Sequence, residues 1–127
     1  MGHIARHDND SPLHTKSKEF AVAVVRMVKQ NNDWHVNSLF QQVLRSGTSI
    51  HANVRESEYA HSISDFISKL TISLKEANET IGWLEVLHEA DCLQESSFND
   101  LYGKCKEIIA ILVASVRTAK ENRDIIQ

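Results

Sequence analysis

Between Ile63 and Leu84 the apolar residues Ile63, Ile67, Leu70, Leu74, Ala77, Ile81 and Leu84 recur at alternating four- and three-residue steps. At 3.6 residues per turn they fall on one helix face, and a strand, with its period of two, cannot collect them. A stripe of this kind has to be buried against other stripes, and the chain supplies three more. Phe20, Val24, Met27 and Val28 mark a first helix from Ser17 to about Gln30. Phe40, Val43, Gly47, Ile50 and Val54 mark a second from about Val36 to Tyr59, and Phe98, Leu101, Cys105, Ile108, Leu112 and Val116 mark a fourth.

Punctuation supports the same division. Asn31-Asn32-Asp33 is a polar breaker, Ser62 with Asp65 and Ser97 with Asp100 read as capping boxes, and Glu89–Ser96 is the last connection. Short connections between regularly spaced stripes describe an all-α, antiparallel up-and-down four-helix bundle. Gly47 lies on the apolar stripe of the second helix, where it costs ~1 kcal/mol relative to Ala. That placement predicts close approach of a neighbouring helix.

With 127 residues the chain fits one domain. Four Gly and one Pro leave few sites for the tight turns of a sandwich or barrel. Residues 1–14 hold that proline and lack periodicity, so a flexible N-terminal tail is expected there, with the bundle over 15–127. No apolar run approaches the ~18 residues of a membrane span, and the N-terminus lacks a signal-peptide core. A cytoplasmic protein without membrane partners is expected. Cys92 and Cys105 are too few for a disulfide framework.

The apolar surface exceeds what one bundle needs. The third helix has a second stripe, Ile72, Glu76, Glu79, Trp83 and Val86, and the fourth adds Tyr102, Ile109 and Val113 beside its main seam. A wide helix face packed on two neighbours would account for these positions, but Trp83 favours an oligomer interface. Arg45 on the second helix is placed to meet Glu76 or Glu79 across the seam, where the polar positions fix the register of an oligomer if they are buried and form an ordinary solvated face if they are not.

Chemistry-bearing constellations are sparse. Arg45 with His51 and Arg55 with His61 both fit the loose Arg–His spacing of helical HEPN-type ribonucleases. Two matches in one helix of a chain with seven His show how cheap that spacing is. His88, Cys92 and Cys105 offer only three metal ligands with no CxxC pair, and Cys105 belongs to the apolar stripe. Neither a metal, a cofactor nor a catalytic residue is assigned. The formal net charge of −3 does not advertise nucleic-acid binding, so any such surface must be a local patch. Its candidates are Arg45, Arg55 and Lys69, then Lys104, Lys106, Arg117, Lys120 and Arg123 along the fourth helix.

Three segments go beyond generic bundle sequence: Ser17-Lys18-Glu19-Phe20, the run from Leu44-Arg45-Ser46-Gly47-Thr48-Ser49-Ile50 to Ala52-Asn53-Val54-Arg55-Glu56, and Leu74-Lys75-Glu76-Ala77-Asn78-Glu79-Thr80. Over about residues 16–122 the chain resembles the four-helix-bundle family of 23S ribosomal RNA intervening-sequence proteins. His51 stands where that family commonly has Gly. The resemblance is also to the accessory variability protein of diversity-generating retroelements. It implies a ring-like homopentamer and RNA or another nucleic acid as partner. The expectation is therefore a non-catalytic, oligomeric binding or scaffold protein; a small HEPN-like ribonuclease is the alternative.

Overall fold

The computed structural model describes residues 11–126. Four helices follow one another: α1 (Pro12–Lys29), α2 (Asn37–Ser57), α3 (Ile63–Glu89) and α4 (Glu95–Ile126), with a single 3-10 turn, Trp34–Val36, leading into α2. Each helix packs on the next and α1 closes the square against α4, while the backbones of α1 and α3 stay more than 8 Å apart. The order is therefore up-down-up-down, with α1 and α3 at opposite corners.

The expected seams converge on one core. Phe20, Val24, Phe40, Val43, Ile50, Val54, Leu70, Ala77, Leu84, Leu101, Cys105, Ile108 and Leu112 are all buried in it. Leu74 lies only at its margin, because Ser73 and Thr80 occupy the buried line at the α2–α3 crossing. Both hydroxyls are satisfied. Ser73 donates to the Ile50 carbonyl (2.8 Å), and Thr80 reaches Ser46 Oγ (2.8 Å) and the Glu76 carbonyl (2.8 Å). Small side chains let α2 and α3 approach, and each hydroxyl finds an acceptor without leaving the seam. Gly47 serves the α1–α2 crossing. A Cβ there would meet Val24 Cγ2 at 3.0 Å and Cγ1 at 3.2 Å.

Two boundaries differ from the sequence reading. Residues 12–14, expected in the tail, are the first turn of α1: Ser11 caps it by accepting from the His14 N–H (3.1 Å), and Pro12 stands at N1. The rest of the expected tail, residues 1–10, lies outside the described residues. The fourth helix starts at Glu95, two residues before the expected Ser97 cap, with the Phe98 N–H bonded to the Gln94 carbonyl. Glu95 suits a first turn, where a carboxylate faces the positive end of the helix dipole. Asp100 instead takes Lys104 one turn on (2.9 Å).

The Ser62 cap holds as expected: its side chain accepts from the Asp65 N–H (3.0 Å), while Asp65 accepts from the His61 N–H (3.2 Å). At the other end of α3, Asp91 adopts φ 61° and closes a Schellman turn. The Cys92 N–H reaches the Leu87 carbonyl (2.8 Å) and the Asp91 N–H the His88 carbonyl (3.1 Å).

Candidate functional site

Arg45, Glu76 and Glu79 do meet, but on the outer flank of the α2–α3 pair and not at a buried seam. The Arg45 side chain is 47% exposed. One guanidinium nitrogen bonds both oxygens of Glu76 (3.3 Å each) and the other bonds Glu79. Trp83 Nε1 donates to the same Glu79 carboxylate (3.0 Å), and the partly buried indole packs against the core. Hydrogen bonds from Arg45 and then Trp83 hold the Glu79 carboxyl below its ordinary range, and Glu79 raises the Arg45 guanidinium. The exposure is angular: around the helix Glu76 lies about 40° and Glu79 about 100° from the core position Thr80, both on the side away from Leu84.

On either side of this charged centre, along the same stripe, Ile72 is 40% and Val86 47% exposed. Apolar residues thus flank a network whose charges already satisfy one another. Such a surface loses water at smaller cost than one with bare ions.

The cations suggested for phosphate contact do not gather. Lys69 is paired with Glu56 (3.1 Å) between α3 and α2, Lys104 with Asp100, and Arg123 lies 3.8 Å from Asp124. Lys106 sits over the Tyr102 ring, 5.5 Å from its centre. Arg55, Arg117 and Lys120 are exposed and form no ion pair among the described residues. Arg55 and Lys69 share an open groove of about 470 Å³ with Glu56, Tyr59, His61 and Asp65 at the α2–α3 turn. Two carboxylates in that lining offset two of its cations.

The Arg55–His61 combination shares this groove. Arg45 and His51 face different neighbours, Arg45 towards α3 and His51 towards α1. His88, Cys92 and Cys105 serve packing: His88 stacks on Phe98 (4.0 Å between centroids) and bonds Glu95 (2.6 Å). Cys105 lies in the core, its Sγ 3.5 Å from the Ala77 carbonyl, where burial pushes the thiol up to about 12. Among the described residues no group of three His, Cys, Asp or Glu is arranged to hold a metal ion, and no helix is long and apolar enough to cross a membrane.

One polar cluster escaped the sequence reading altogether. His14 Nδ1 donates to Glu58 (2.7 Å), and both side chains are nearly buried between α1 and the end of α2. Ser17 Oγ donates to the His14 carbonyl (3.1 Å) and is bonded to His51 Nδ1 (2.9 Å), and the two imidazoles meet edge to face at 5.1 Å. Burial, then the nearby His14, Arg55 and Lys18, lower His51 to about 4, so it is neutral at pH 7. Ser17 is wholly buried, which closes it to any substrate; the cluster fastens α1 to α2. With partners 34 and 44 residues apart, only the fold brings it together.

The model of the 23S rRNA-intervening sequence protein family matches residues 9–114. A solved structure, that of a protein with unknown function from the S23 ribosomal protein family of Bacteroides thetaiotaomicron, is similar at 42% identity and a TM-score of 0.78. That likeness covers 82% of this chain and 97% of the other. No curated protein matches the chain significantly.

Proposed function

The chain belongs to the 23S rRNA-intervening sequence protein family, and from that premise we propose that it is a cytoplasmic, non-catalytic binding protein that assembles through its α2–α3 flank. The observation that carries this reading is the stripe in which Ile72 and Val86 stay exposed around the closed Arg45–Glu76–Glu79–Trp83 network. A ring-like homopentamer is the assembly the resemblance implies. RNA is the ligand we assign to the assembled surface, with the unpaired Arg55, Arg117 and Lys120 as phosphate contacts.

Light scattering coupled to gel filtration gives the first test. The wild type should run at several times 14.4 kDa, and Ile72→Glu, which sets a charge into the stripe, should shift it towards the monomer. A wild-type monomer at every concentration overturns self-assembly. In a filter-binding assay with labelled structured RNA, replacing Arg55, Arg117 and Lys120 together by Ala should weaken retention and flatten its salt dependence.

The alternative, a HEPN-like ribonuclease, draws on one observation: Arg55 and His61 line the same groove. General acid–base cleavage would need that imidazole at the scissile phosphate. RNA cleaved by the wild type and spared by His61→Ala would replace the non-catalytic reading.

A further inference from the structure

A ring, unlike a two-fold dimer, needs two different patches on each subunit, one to give and one to receive. Beyond the α3 stripe, the other exposed large apolar residues that neighbour one another on one helix face are Val22, 42% exposed, and Val25, 38% exposed, on α1. Lys18, Val22, Val25 and Lys29 follow one another at four-, three- and four-residue steps, so they form one outer stripe, and all four are exposed. Because α1 and α3 occupy opposite corners of the square, one subunit cannot cover either stripe with the other.

We infer that the α1 stripe of one copy seats on the α3 stripe of the next, joining subunits head to tail; this rests on the self-assembly proposed above. Charge complementarity selects the pairing. α1 offers Lys18, Arg26 and Lys29 against Glu19, its fourth cation, Lys16, being held by Glu107 of α4 (3.2 Å). α3 carries five carboxylates against two lysines, and it stays acidic when Arg45 is counted in. α4 also exposes Val113, but its charges balance, five against five, so it offers α3 no such attraction. The Lys18–Lys29 stripe is thus basic, while on the α3 stripe Glu76 and Glu79 share the single Arg45 and leave one negative charge over, which favours α1 on α3 and disfavours α3–α3 or α1–α1 pairing.

The test uses two variants of the full chain, each changed only at exposed positions: Val22→Glu with Val25→Glu on α1, and Ile72→Gln with Val86→Gln on α3. Circular dichroism first establishes that both fold. Each variant alone should be monomeric, since each has lost one of the two unlike patches. Mixed in equal amounts, they should form a one-to-one heterodimer and nothing larger, joined by the intact α1 stripe of one and the intact α3 stripe of the other. If the α1 variant still assembles as the wild type does while the α3 variant does not, the α3 stripe pairs with something else: the head-to-tail pairing fails and the α3 interface stands. A mixture that stays monomeric also overturns the pairing. A monomeric wild type removes both readings at once.

Discussion

Two glycines in similar helical surroundings should respond oppositely to the same substitution. At Gly47 the added methyl would meet the two Val24 methyls at 3.0 and 3.2 Å. Val24 is wholly buried, and a β-branched side chain in a helix is confined to nearly one rotamer, so it cannot swing aside. Overpacking of this kind costs about 1–3 kcal/mol. Replacing Gly by Ala in a helix returns about 1 kcal/mol. The balance for Gly47→Ala is therefore a loss of about 0–2 kcal/mol. At Gly103 on α4 a Cβ meets nothing within 4 Å, so only the helical gain remains and Gly103→Ala should stabilise by about 1 kcal/mol. Urea melts at one fixed protein concentration measure the difference, and removing the Val24 methyls should make Gly47→Ala less damaging than in the wild type. Equal shifts in the same direction for both variants, or no relief with Val24→Ala, would refute the close α1–α2 crossing.

Leu84→Ala, at a wholly buried position, should cost about 2–5 kcal/mol in the same melts, and Leu74→Ala, at the core margin, clearly less. A thiol reagent should label Cys92 alone in the native protein and both cysteines after denaturation, because Cys105 is buried with its thiol raised to about 12; two native thiols of equal reactivity would contradict that packing. The fold lowers His51 from 6.5 to about 4, so the unfolded chain takes up the proton first, and the stability from this site should fall as pH drops from 6.5 towards 4. Urea midpoints for His51→Gln should show a shallower fall over that interval, and an unchanged pH profile would separate His51 from the linkage.

The bundle was legible because each helix carries its own signal. The stripes from Phe40 to Val54, from Ile67 to Leu84 and from Leu101 to Leu112 are local, and Ser62 announces its cap within three residues. What stayed hidden depends on contacts between distant residues. Ser73 and Thr80 stand outside the apolar stripe of α3, yet they are buried because Ile50 and Ser46 supply acceptors across the crossing. His14 and Ser17 break the apolar pattern of α1, which is why its first turn looked like tail; Glu58 and His51 are what make them interior. Of the candidate site, the pairing of Arg45 with Glu76 and Glu79 could be read from antiparallel neighbours, but its exposure could not, since tens of degrees on a helix separate a flank from a seam.

We propose that another copy of this chain covers the α3 stripe. Sedimentation equilibrium of the wild type beside Ile72→Glu, across a wide concentration range and at low and high salt, tests it most directly. The wild type should form a closed oligomer of several 14.4 kDa subunits, loosened by salt, and the variant a 14.4 kDa species. Identical masses for the two proteins, whether both monomeric or both assembled, would contradict it.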